Sequence, residues 1–115
     1  MADRRELPDR RPSITLPVTF SSLWGEEHTF IVTYGFDADG FVRECFCSSP
    51  KAGSMMQAFI NDACVGISRL LQRGDTIADL VVAFGEDRQE GASAGPPSSP
   101  LGAIARAGQH LEDAL

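Results

Sequence analysis

His28-Thr29-Phe30-Ile31-Val32-Thr33-Tyr34-Gly35-Phe36 places Phe30, Val32, Tyr34 and Phe36 on one side of an extended chain and Thr29, Ile31 and Thr33 on the other. A period of two over this length predicts a half-buried β-strand. Downstream, Asp37-Ala38-Asp39-Gly40 supplies turn residues before a second apolar run over residues 41–47, so the pair reads as a β-hairpin. Upstream, Ile14, Leu16, Val18 and Phe20 alternate with Ser13, Thr15, Pro17 and Thr19. Pro17 has no N–H to give to a ladder, which assigns this strand to an edge. Three consecutive strands predict an antiparallel meander.

Past Gly53 the period changes. Met56, Phe59, Ile60, Ala63, Ile67, Leu70 and Leu71 recur at separations of three and four, the pattern of an amphipathic helix over about residues 55–73. Ser54 with Gln57 three positions on matches a capping box, and Gly74 fits the left-handed position after the last turn. Thr76 and Asp79 open a shorter helix carrying Ile77, Leu80, Val81 and Phe84, with Gly85 at its end. Residues 86–99 are rich in Gly, Pro, Ser and Ala and read as a flexible linker. Ser99-Pro100 then resembles an N-cap and first helical residue of a C-terminal helix over residues 101–115, interrupted or weakened at Gly108. The expected fold is α+β: a three-stranded antiparallel meander packed by a long helix and a shorter second helix, with a C-terminal helix after the linker. In segments, residues 1–12 are a flexible charged arm, 13–85 the core, 86–99 the linker and 100–115 the terminal helix.

Composition bounds the function. A chain of 115 residues, 43% hydrophobic and 23% charged, matches one ordinary globular domain. Its formal charge of −6 argues against affinity gained by releasing phosphate counterions. Arg4, Arg5, Arg10 and Arg11 form a basic run, but Asp3, Glu6 and Asp9 are interleaved with it. No apolar run reaches the roughly 20 residues of a membrane span. Three cysteines and an N-terminus without the apolar core of a secretory signal point to the cytoplasm.

The candidate chemistry gathers in the joint between the third strand and the long helix. A helix N-terminus presents unpaired N–H groups, Gly53 permits close approach, Ser54 adds a hydroxyl and Lys51 a full charge, so Lys51, Gly53 and Ser54 form a candidate anion or nucleotide site. The same residues also serve as a turn, a cap and a solvated lysine, and the longer glycine spacing of a P-loop is missing. Cys45 and Cys47 share one strand face, with Cys64 on the helix as a third thiol, a weak metal cue for which His28 or His110 would have to be the fourth ligand, neither in a recognised pairing. Asp37, Asp39 and Glu44 fit the hairpin turn better than a cation site, and Glu26, Glu27 and His28 read as a solvated loop. Phe30, Tyr34, Phe36 and Phe41 are assigned mainly to the core. Trp24 sits in a loop, where an indole acts as a contact anchor. The apolar sheet edge leaves a homodimer open.

With these residues in place, the chain resembles the TSCPD domain, a small module found near the C-terminus of adenosylcobalamin-dependent, class II ribonucleotide reductases and in short stand-alone proteins. The resemblance covers about residues 12–107. It rests on Tyr34-Gly35-Phe36-Asp37, Lys51-Ala52-Gly53-Ser54, Asp62-Ala63-Cys64-Val65, Leu71-Gln72-Arg73-Gly74 and Ser99-Pro100-Leu101-Gly102-Ala103-Ile104. The naming motif Thr-Ser-Cys-Pro-Asp is here Pro97-Ser98-Ser99-Pro100-Leu101, with Ser99 at the cysteine position and Leu101 at the aspartate position. The resemblance implies an accessory or regulatory module tied to reduction of ribonucleotides to deoxyribonucleotides. Its partner would be a class II reductase chain or a nucleotide, with adenosylcobalamin held by the reductase and not by this chain. Radical reduction needs a large barrel, so intrinsic catalysis is not expected. Ser99, Pro100 and Leu101 join Trp24 as candidate partner contacts. The alternative is a stand-alone protein-interaction module unrelated to nucleotide reduction.

Overall fold

The alternation around Tyr34 is realised as the central strand of a three-stranded antiparallel sheet in a computed structural model that describes residues 12–48 and 55–115. The expected arm before Pro12, the Lys51 loop and the Ser54 cap lie outside the described residues. β1 (Ser13–Ser21), β2 (Glu27–Phe36) and β3 (Val42–Ser48) lie in the order β1-β2-β3. Pro17 is on the edge strand, opposite Ile31. Val18, Phe20, Phe30, Val32, Tyr34 and Phe36 all turn into the core. The opposite face carries cross-strand threonine pairs, Thr15 with Thr33 at 2.7 Å and Thr19 with Thr29 at 2.8 Å, each able to share a hydroxyl hydrogen bond at no cost in burial.

β3 departs from simple alternation. Gly35 pairs with Glu44 and Phe36 with Val42, so Arg43 is an extra residue, a β-bulge. The bulge inverts the parity of the strand. Val42 takes the core position that strict alternation gives to Phe41, and Phe41, expected in the core, is 42% exposed beneath the Arg43 guanidinium, 5.4 Å from its ring centroid.

α1 (Met55–Gln72) follows the expected range but is rotated from the expected face. Ile60, Ile67 and Leu71 point inward as predicted; Met56, Phe59 and Leu70 do not, and Gln57, Cys64, Ser68 and Gln72 are buried instead. The cause is the outer edge of β3. The Cys45 N–H donates to Ser68 Oγ at 3.0 Å, Ser68 Oγ donates to the Cys45 carbonyl at 3.2 Å, and the Gln72 amide donates to the Arg43 carbonyl at 3.4 Å. A buried strand edge must have its backbone groups paired. α1 supplies the partners and so closes the edge that would otherwise pair with another chain. Ser68→Ala is expected to cost about 1–3 kcal/mol, read from the urea midpoint; an unchanged midpoint would mean that water serves this edge equally well.

Gly74, at φ 117, ends α1 in the left-handed region. α2 (Ile77–Ala83) begins with a capping box between Thr76 and Asp79, and α3 (Pro100–Ala114) begins at the Ser99 cap with Pro100 in its first turn. α3 runs unbroken through Gly108, where an interrupted or weakened helix was expected. The glycine has a packing role: a Cβ there would lie 2.9 Å from Tyr34 Cε1. α1 covers β3, and α3 packs against β1 and α2. Tyr34, Phe36, Leu71, Ile77 and Ile104 meet between these layers.

Candidate functional site

The segment after α2, read as a linker, folds back on itself. The Ser98 N–H donates to the Gly85 carbonyl at 3.1 Å and the Asp87 N–H to the Pro96 carbonyl at 2.8 Å, while Glu86 and Pro97 form an antiparallel bridge. Gly95 stands where a side chain would collide with the Asp87 carbonyl. Glycine and proline therefore serve close backbone approach here.

This loop and α3 together build a charged cluster. Glu86 Oε1 accepts from Arg88 Nε at 2.9 Å and Nη2 at 2.5 Å, and Glu86 Oε2 accepts from Arg106 Nη2 at 3.3 Å and the Gly95 N–H at 3.4 Å. The Arg88 bonds, then the Gly95 N–H, hold the Glu86 carboxyl below its ordinary range. The three side chains border an open cleft of about 530 Å³, whose apolar wall is Val81, Val82 and Phe84. Two guanidiniums around one carboxylate leave a net positive charge in a chain that is acidic overall. The Nε and Nη2 groups of Arg88 are already taken by Glu86, so an anion such as a phosphate would be met by the remaining guanidinium N–H groups. None of these residues stood out in the sequence; the readable signal was Glu86-x-Arg88 inside a glycine-rich stretch, with Arg106 nearly two turns into a helix.

The other candidates fall as follows. Lys51, Gly53 and Ser54 belong to the joint between β3 and α1, outside the described residues. Cys45 and Cys64 face each other between β3 and α1, and Cys47 lies one pair further along the strand. The Cys45 thiol is pushed up by its hydrogen bond to Cys64 and then by burial, and Cys47 is raised by burial and then by the neighbouring Cys64. The same contact acts in the opposite direction on Cys64, whose thiol is lowered by the hydrogen bond from Cys45 against the effect of burial. Among the described residues no three His, Cys, Asp or Glu side chains converge as a metal site. Trp24 is 91% exposed at the tip of the β1–β2 hairpin beside Leu23. Ser99 Oγ accepts from the Gly102 N–H at 3.2 Å, and Leu101 packs against the core. These two residues thus cap a helix and fill space. No described helix is long and apolar enough to cross a membrane.

Comparison with known proteins gives one informative relative. Ninety-six residues, 84% of the chain, align at 32% identity with a vitamin B12-dependent ribonucleotide reductase of Bradyrhizobium diazoefficiens. The chain is related to that enzyme. It corresponds to 7% of the reductase's length, so the relation is to one small part of a large protein. No family model matches the chain. No solved structure matches it either.

Proposed function

We propose that this chain is an accessory module of adenosylcobalamin-dependent ribonucleotide reduction, of the TSCPD type, acting through contacts with a reductase chain or a nucleotide and not through bond-making chemistry of its own. The observation that carries this reading is the 32% identity over 84% of the chain with a segment of the B12-dependent reductase. The compact sheet with its capped edge supports a module that presents surfaces. Its contact groups are Lys51, Gly53 and Ser54 at the start of α1 and the Arg88–Arg106 cleft, both suited to phosphate. In this reading adenosylcobalamin belongs to the reductase and not to this chain. The reading places the protein in the cytoplasm, where deoxyribonucleotides for DNA replication are made.

Affinity capture of the tagged chain from its native extract tests this, with Lys51→Ala as control. Recovery of a class II reductase, diminished in the variant, is the expected result. Reproducible recovery of other proteins without any reductase would overturn the assignment and favour an interaction module, for which exposed Trp24 is the natural anchor.

A further inference from the structure

The rotation of α1 that brings Ser68 and Gln72 to the β3 edge carries a second apolar stripe out of the core. Met56, Phe59, Ala63, Gly66 and Leu70 recur at spacings of three and four, so they form one continuous line along the helix, about 21 Å long at 1.5 Å per residue. Phe59 is 69% exposed, and Met56, Gly66 and Leu70 are exposed as well. Gly66 is the informative residue. Glycine is a poor helix former in a helix interior, and among the described residues a Cβ at this position would meet nothing within 4 Å. No contact among the described residues calls for it. Close approach of another backbone does.

We propose that this stripe is a dimer interface at which α1 of one chain packs antiparallel against α1 of a second copy about a two-fold axis between Ala63 and Gly66. The pattern is its own complement. With that axis, Ala63 faces Gly66 of the partner subunit and Phe59 faces Leu70 of the partner subunit, so small meets small at the centre, where the helices come closest, and large meets large on either side. The flanking charges agree. Asp62 and Arg69 are exposed, lie seven residues apart on the same flank of the stripe and make no ion pair among the described residues. The antiparallel pairing sets Asp62 beside Arg69 of the partner subunit, and the two-fold axis repeats the pair. One helix pair is a small interface, so the dimer is a weak one that forms in the micromolar range. None of the stripe residues lines the cleft, and the inference does not depend on the reductase relation.

Sedimentation velocity of the full chain, from low micromolar to several hundred micromolar, is the test. A monomer–dimer equilibrium is expected, with Phe59→Asp monomeric throughout. Asp62→Arg and Arg69→Asp alone should each weaken the dimer by about tenfold, and the doubly reversed chain should return to the wild-type equilibrium. Every altered side chain is exposed, and unchanged thermal melts will establish that the variants fold. A wild-type monomer across the whole range would overturn the proposal, as would a dimer indifferent to Phe59→Asp or a double reversal without rescue. A chain that stays monomeric and uses Phe59 to hold a reductase would assign the stripe to that protein and likewise sink self-pairing.

Discussion

Arg43→Met should lower the unfolding free energy by about 3 kcal/mol, a fall in melting temperature of very roughly 15 °C for a domain of this size. Arg43 is the extra residue of the β3 bulge and is only 4% exposed. Its Nε donates to Asp37 Oδ2 at 2.9 Å, and its Nη1 donates to the Leu71 carbonyl at 3.0 Å and the Asp75 carbonyl at 3.1 Å. One guanidinium therefore ties the hairpin turn to the C-terminal end of α1, where helix carbonyls lack partners within the helix. Methionine matches the length of the stem but removes all three of these bonds, leaving the Leu71 carbonyl with the Gly74 N–H at 3.3 Å. Asp37 adds a pH signature. Burial pushes its carboxyl up, but the Arg43 bond and then the N–H groups of Phe41 and Asp39 outweigh burial, and the net shift is below the ordinary 3.8. A carboxyl depressed in the folded state contributes stability above its unfolded value, and that contribution is lost as pH falls through the folded value. The gap between wild type and Arg43→Met should therefore be full at neutral pH and shrink below about pH 4. Urea midpoints in neutral and acid buffer measure it. A gap that stays constant into acid would show that the carbonyl bonds, and not the Asp37 pair, carry the effect.

The same bulge marks where the sequence stops being readable. The meander, its edge strand and the extents of all three helices follow from periodicity and from caps such as Thr76 with Asp79 and Ser99 with Pro100, because each is a local property of a few neighbouring residues. An inserted residue in β3 is not local. Only the pairing of Gly35 with Glu44 and Phe36 with Val42 reveals that Phe41 turns out and Val42 turns in. α1 shows the same limit from the other side. Its apolar residues span more of the helix than one sheet face can cover, and which part goes inward is decided by hydrogen bonds that β3 asks of Ser68 and Gln72. Polar residues at helix positions look like solvent face until the strand edge they serve is known. The Glu86–Arg88–Arg106 cleft was hidden because its members come from a loop and a helix that only the backbone closure between Gly85 and Ser98 brings together. Exposure of Trp24, by contrast, was legible, since the turn residues around it leave nothing to cover an indole.

Tyr34→Ala is expected to have the largest effect in the chain, about 4 kcal/mol, within the range seen when a large buried ring is removed. Tyr34 has no exposed surface, and its hydroxyl donates to the Ile104 carbonyl at 2.6 Å, linking the central strand to α3 across the whole core. Burial, more than the neighbouring thiols, pushes the phenol far up, so it stays a donor at every accessible pH. Tyr34→Phe removes that one bond and leaves the Ile104 carbonyl its helical partner, so about 1 kcal/mol should be lost. Gly108 separates packing from simple loss of volume. In the wild-type chain Gly108→Ala sets a methyl 2.9 Å from Tyr34 Cε1 and 3.4 Å from Ile77 Cγ1, so the ring must move and the substitution destabilises. In the Tyr34→Ala background the obstruction is gone. The methyl then fills part of the cavity, and replacing a mid-helix glycine adds close to 1 kcal/mol of helix propensity. Gly108→Ala should accordingly change sign, harmful alone and favourable beside Tyr34→Ala, in a double-mutant cycle read by denaturant unfolding. If it keeps one sign in both backgrounds, the glycine is not there for the tyrosine, and α3 is held to the sheet chiefly by Ala103, Ile104 and Leu111 instead.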